Sequence, residues 1–150
     1  MGTSEPDLRR IISWSEYNDL VSSIASKIGQ KEIDCIVGLT RGGLIPAVQL
    51  SHMYNAKLYT LNISLRDGKC SSAGFDWRRL QPYRNILVVD DINDSGKTLQ
   101  TVYEQCYGRE IMKPTFATLL EKTSSAFTVD YAGEIINKNK ENDWIVFPWE

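Results

Sequence analysis

The sequence predicts an α/β domain built on a parallel central sheet. Three observations carry that expectation. Helical periodicities alternate with short apolar runs along the chain; those runs lack polar alternation; and the clearest of them ends in acids that lead through a glycine turn into a helix. Uninterrupted apolar runs belong to strands buried on both faces, as in parallel sheets covered by helices on either side.

The elements follow in order. Ser13-Trp14-Ser15-Glu16 has capping-box spacing. After it Tyr17, Leu20, Val21, Ile24 and Ile28 recur at three- and four-residue steps, which predicts a helix ended by Gly29. Cys35-Ile36-Val37-Gly38-Leu39 reads as a buried strand. Leu44 to Tyr54 reads as an apolar helix, since Pro46 is tolerated in a first turn. Leu58 to Ile63 and Asn85 to Asp90 are the next strands, Lys97 to Tyr107 a helix and Thr115 to Leu120 a strand. Val129 to Ile136 and Trp144 to Phe147 look like two further extended pieces. Residues 64–84 hold glycines, serines and basic side chains without clear periodicity, and read as a long functional or mobile loop.

Composition narrows the function. A chain of 150 residues is one domain, able to bury roughly two thirds of its unfolded surface. Seventeen basic against nineteen acidic residues, without blocks of like charge, argue against nucleic acid as partner. No apolar run reaches the roughly 20 residues of a membrane span, and the N-terminus lacks the features of a signal peptide. Cys35, Cys70 and Cys106 fit neither a disulfide framework nor a zinc site. A cytoplasmic location is expected. His52, on an apolar helix away from the strand ends, reads as structural, and Trp14 and Trp149 as packing residues.

The richest segment is Ile86-Leu87-Val88-Val89-Asp90-Asp91-Ile92-Asn93-Asp94-Ser95-Gly96-Lys97-Thr98-Leu99. Ligands of open α/β sheets bind at the carboxyl ends of strands, and the helix N-terminus that follows suits a phosphate. At about 5 Å and an effective dielectric of about 20, each pair among Asp90, Asp91 and Asp94 repels by roughly 3 kcal/mol. A divalent cation, ligand hydroxyls or protonation would offset this. Gly96-Lys97-Thr98 matches the end of a P-loop, but that motif demands glycine at the position of Asp91. A phospho-acceptor pocket would leave the phosphate turn without a role.

Val88 to Thr98 resembles the phosphoribosyl-pyrophosphate signature of the type I phosphoribosyltransferases, with every defining position filled. The resemblance implies that family's fold, a parallel central sheet flanked by helices with a small C-terminal hood at about 121–150. It implies that Asp90 and Asp91 hold the donor ribose hydroxyls and a magnesium ion. Asp94, Ser95, Gly96, Lys97 and Thr98 would grip the 5′-phosphate, and Asp94 would also act as proton acceptor at N7 of a purine. Thr40-Arg41-Gly42-Gly43 resembles the family's pyrophosphate loop. The stretch 64–84 falls where the family has its flexible catalytic loop, though Ser64-Leu65 replaces the usual Ser-Tyr. Arg66, Lys69, Arg78, Arg79 and Arg84 are its candidate pyrophosphate contacts.

Glu121-Lys122-Thr123 and the Asp143-Trp144-Ile145 to Pro148-Trp149-Glu150 tail are similar to the small bacterial xanthine-guanine branch, although Lys97 stands where that branch commonly has glycine. The likeness implies Lys122 at O6 of a 6-oxopurine, Trp144 stacked on the base, and the Ile145 backbone at its N1 and N2 edge. It implies transfer of the 5-phosphoribosyl group to guanine, xanthine or hypoxanthine in purine salvage, by a homodimer or homotetramer. A non-catalytic nucleotide-binding regulator and a transferase for another base are the alternatives.

Overall fold

A five-stranded, wholly parallel sheet in the order β3-β2-β6-β7-β8 organises the chain. The computed structural model describes residues 8–66, 69–72, 74–137, 140 and 143–150, and only the backbone of 65, 66 and 69–71. The sheet strands are β2 (Cys35–Thr40), β3 (Lys57–Asn62), β6 (Ile86–Asn93), β7 (Thr115–Lys122) and β8 (Tyr131–Ile136). Helices α1 (Trp14–Ile28) and α2 (Leu44–Tyr54) cover one face, and α3 (Lys97–Cys106) the other.

Alternation within each strand feeds two cores. Ile36, Leu87 and Val89 pack with Tyr17, Ile24 and Leu50 on the first face. Cys35, Val37 and Val88 pack with Leu99, Val102 and Cys106 on the second. Cys35 and Cys106 are buried free thiols, and burial pushes them up to about 12 and about 11; the Cys70 side chain lies outside the described residues. The expected caps are present. Ser13 Oγ accepts from the Glu16 N–H at 3.1 Å, and Gly29 closes α1 with φ +66°.

Strand order sets the site. The chain leaves β2 toward β3 on one side and returns to place β6 on the other. That reversal is a topological switch point, where loops diverge and leave a crevice above the strand ends. The loop after β2 and the acidic end of β6 face each other across it.

Three expectations change. Strand β6 continues to Asn93 and β7 to Lys122, so Asp90, Asp91 and Lys122 lie in the sheet and Asp94 follows it. Residues 64–84 are not structureless: β4 (Ser64–Arg66) and β5 (Lys69–Ser71) form an antiparallel hairpin, and Trp77–Leu80 a 3-10 turn. Trp77 and Leu80 anchor that turn in the second core, so apolar side chains among many basic ones hid it from periodicity. Finally, Tyr131–Ile136, expected in the hood, is the edge strand of the main sheet. The tail forms a separate two-stranded parallel sheet, β9 (Trp144–Val146) against β1 (Arg9–Ile11), a strand too short to be read from sequence. Arg10 ties it to β8 through two bonds to Glu134, at 2.6 and 3.0 Å.

Candidate active site

Asp90 and Asp91 stand near the end of β6, both partly buried. Each carboxylate accepts a nearby backbone N–H, Asp90 from Asp91 at 2.8 Å and Asp91 from Ile92 at 2.7 Å. Burial, and then the charge of Asp91, push Asp90 well above the usual carboxylate range. Burial also raises Asp91, and among the lesser causes is the carboxylate of Glu150. Among the described residues no three His, Cys, Asp or Glu side chains converge as a metal cage. The oxygen-only pair fits a hard cation such as magnesium, which typically takes one or two carboxylates and completes its shell with water and phosphate oxygens.

The loop Thr40-Arg41-Gly42-Gly43 lies directly on this strand end. The Thr40–Arg41 peptide is cis. A Cβ on Gly42 would fall inside the Asp91 carboxylate, and one on Gly43 would meet the Val89 carbonyl. The two glycines thus have a packing reason: only a bare backbone fits between β2 and the acid pair. The Arg41 side chain is exposed beside them.

Beyond the acids the chain turns through Asp94, Ser95 and Gly96 into α3, around a cleft of about 220 Å³ that also reaches Asp90, Thr98 and Leu99. Gly96 has φ +91° and precedes the first turn of α3. A Cβ there would lie 2.6 Å from the Phe127 nitrogen and 2.8 Å from Ser125 Oγ. Close approach of the 123–129 loop, together with the left-handed backbone, requires this glycine. The Ser95 carbonyl accepts from Ala126 N–H at 3.0 Å, and Ser95 Oγ from Lys97 N–H at 3.3 Å.

Lys122, at the end of β7, meets Asp94. Its Nζ lies 3.0 Å from Asp94 Oδ1, with Lys122 16% and Asp94 68% exposed. Register explains the meeting, because Asn93 and Glu121 are Cα partners and Asp94 and Lys122 follow them. Trp144 is 66% exposed on β9 and pairs with β1 instead of the main sheet. Ile145 packs against the first core, and Trp149 stacks on Phe147 at 5.0 Å and meets Tyr17 edge-on at 5.5 Å. The structure thus brings together Asp90, Asp91, Gly42 and Gly43, and separately Asp94, Ser95, Gly96 and Lys122.

The basic candidates of 64–84 divide. Arg84 precedes β6 at the amino end of the sheet, bonding Asp34 through its backbone N–H, about 20 Å from the acids at strand spacing. That removes it as a pyrophosphate contact. Arg78 pairs with Asp76 at 3.1 Å and Arg79 is exposed, while the side chains of Arg66 and Lys69 lie outside the described residues.

Sequence reasoning missed a buried polar cluster beneath the Lys122–Asp94 pair. Asn93 Nδ2 donates to Glu121 Oε2 at 2.9 Å and to the Phe127 carbonyl, Ser125 Oγ donates to Asn93 Oδ1 at 2.9 Å, and Val129 N–H donates to Glu121 Oε2 at 2.7 Å. An acid closing the apolar run Phe116 to Leu120 was the available signal, since buried charge demands partners.

Comparison with known proteins shows the family and the fold. The sequence profile of the phosphoribosyl transferase domain matches residues 13–150. A xanthine-guanine phosphoribosyltransferase of Cereibacter sphaeroides is 29% identical, over 93% of this chain and 85% of its own. A purine phosphoribosyltransferase from Pyrococcus horikoshii Ot3 superposes with a TM-score of 0.80 at 30% identity, covering 95% of this chain and 94% of the other. The xanthine-guanine-hypoxanthine phosphoribosyltransferase of Helicobacter pylori shares the fold, with a TM-score of 0.76 at 22% identity over 96% and 93% of the two chains. With its five-stranded parallel sheet and its filled signature at the switch point, this chain belongs to the type I phosphoribosyltransferase family.

Proposed function

We propose that the protein transfers the 5-phosphoribosyl group of phosphoribosyl pyrophosphate to a 6-oxopurine, releasing pyrophosphate and a nucleoside 5′-monophosphate. The observation that carries this reading is the Lys122–Asp94 pair, a donor and an acceptor 3.0 Å apart at the mouth of the cleft. A 6-oxopurine presents O6 and N7 side by side on one edge. Lys122 would donate to O6 and Asp94 would accept a proton from N7. The purine N9 attacks C1′ of the donor, the bond from C1′ to the pyrophosphate oxygen breaks with its electron pair leaving on oxygen, and the base proton passes to Asp94. Trp144 would cover the base face, with the Ile145 backbone at its N1 and N2 edge.

On this reading Asp94, Ser95, Gly96, Lys97 and Thr98 hold the 5′-phosphate at the N-terminus of α3, where backbone N–H groups and the helix dipole favour an anion. Thr40, Arg41, Gly42 and Gly43 hold the pyrophosphate. Asp90 and Asp91 hold the ribose hydroxyls and magnesium, which when bound would neutralise charge on the leaving group. Most of the rate enhancement then comes from fixing base and sugar in line and from excluding water. The chain is taken as a single domain, residues 1–150, working in the cytoplasm as a homodimer or homotetramer. No helix of the described residues is long and apolar enough to cross a membrane.

Incubating the protein with donor, magnesium and guanine, hypoxanthine, xanthine or adenine, and measuring nucleoside monophosphate, tests the reading. Turnover of at least one 6-oxopurine with little adenine use is expected. Nucleotide binding without turnover would point to a regulator, and turnover of adenine alone would overturn the acceptor.

A further inference from the structure

The 6-oxopurine reading needs Lys122 and Asp94 at a fixed spacing, yet one is only partly buried and the other is exposed. A long lysine and an exposed aspartate do not hold each other to a few tenths of an ångström. The rung beneath them can. Asn93 and Glu121 are 2% and 7% exposed and lie directly opposite in the β6–β7 register. Their side chains meet at 2.9 Å, and three contacts from the following loop close around them. Ser125 Oγ, which bonds Asn93, is also the atom that crowds Gly96, and Ala126 N–H bonds the Ser95 carbonyl. One polar cluster therefore touches the strand bearing Lys122, the strand that ends one residue before Asp94 and the turn between Asp94 and α3.

On β7 an apolar residue at 121 would continue Leu119 and Leu120, and on β6 Asn93 follows the apolar Ile92, so a packed apolar rung would fit here. Buried ionic groups rarely increase stability over well-packed apolar ones, and their best-attested use is to specify register. We propose that Asn93 and Glu121 are positioning residues for base selection. They set the spacing of Lys122 from Asp94 and lock the 123–129 loop on the turn that follows. The inference rests on the proposed 6-oxopurine function.

The test compares Asn93→Ala, Glu121→Leu, Ser125→Ala and Glu121→Gln with the wild type, at a temperature where circular dichroism shows each to be folded. The readout is the ratio of kcat/KM for guanine to that for adenine. A merely structural role lowers the folded fraction and scales both substrates equally, so this ratio does not move. Expected is a fall of about tenfold for Asn93→Ala and Glu121→Leu, and about threefold for Ser125→Ala. Glu121→Gln should keep the wild-type ratio, because its amide oxygen can accept both bonds that Oε2 accepts. Unchanged ratios in the folded variants overturn the proposal. Should Glu121→Leu not fold, Asn93→Ala and Ser125→Ala carry the test. Wild-type protein without 6-oxopurine turnover would sink the proposed function instead. The ratio of the AMP to the GMP dissociation constant by calorimetry then reads the positioning role alone: it should fall about tenfold for Asn93→Ala and Glu121→Leu, and an unchanged ratio overturns the proposal.

Discussion

Replacing Lys122 by Met keeps an unbranched side chain one atom shorter and removes its charge, so it separates a ligand role from a structural one. The ion pair with Asp94 spans 3.0 Å, but Asp94 is 68% exposed, and water screens the pair. Such pairs contribute about 0.2–1 kcal/mol. In a domain of this size that shifts Tm by at most about 2–4 °C. The expected effect on base choice is larger. With lysine present, a 6-aminopurine offers a donor to a donor, and the group left unpaired costs about 1–3 kcal/mol. That corresponds to roughly tenfold to hundredfold discrimination against adenine. The assay is kcat/KM for guanine, hypoxanthine, xanthine and adenine at saturating donor, alongside thermal melts. Lys122→Met should melt near the wild type, use 6-oxopurines poorly and relax its exclusion of adenine by about tenfold or more. Asp94→Asn should instead lower turnover of every purine without reordering them. An unchanged base ranking in Lys122→Met would refute the O6 assignment. A large loss of Tm would show that the pair holds the fold.

Asp90 gives a pH prediction. An acid raised in the folded state binds more protons folded than unfolded between the ordinary carboxylate range and its raised value. Stability is therefore fullest below that window and is lost as pH rises through the folded value. Metal-free Asp90→Asn should melt above the wild type at pH 7, with the difference closing toward pH 4, while donor use collapses; a lower melting point at pH 7 would contradict the burial argument. Gly96→Ala places a side chain at φ +91° against Phe127 and should cost about 1–3 kcal/mol in urea unfolding as well as weaken donor binding. Unchanged stability would mean that the 123–129 loop yields freely. Trp77→Ala should cost about 3–5 kcal/mol, since Trp77 is buried in the second core beside Phe75. A cost below about 1 kcal/mol would show that the 3-10 turn is not part of the core.

What could be read from sequence divides by the range of the signal. Strands β2 and β6 and helices α1 and α2 are written locally, as apolar runs and three-to-four-residue periods that burial on both sheet faces enforces. The 88–98 signature is legible for the same reason: one strand end and one turn carry it all. The hairpin of 64–71 and the turn at Trp77 are not, because few apolar residues spread among many basic ones give no period. The likeness of Thr40 to Gly43 to a pyrophosphate loop is legible, but the neighbours of Gly42 and Gly43 are not: Asp91 and Val89 meet them only when β2 and β6 pair. Glu121 was passed over beside Lys122, since a carboxylate that ends a strand looks solvated until its register partner is known.

At this site the acid pair Asp90–Asp91 and the ion pair Lys122–Asp94 behave oppositely. Asp90 and Asp91 are pushed toward the neutral acid by burial, so a cation or ribose hydroxyls would gain from relieving them. Asp94 and Lys122 already satisfy one another, and under the proposed function a base entering between them would first part the pair. Parting it costs little because Asp94 faces water. On the proposed reading the free energy of base binding would therefore depend mainly on how well O6 and N7 replace the broken contact, and that would depend on the spacing of the β6 and β7 ends. Spacing is a property of the sheet and not of either side chain. On the proposed reading a wrong base would be refused because β6 and β7 fix where Asp94 and Lys122 start, so the rigidity of those strands would matter more than the strength of the ion pair itself.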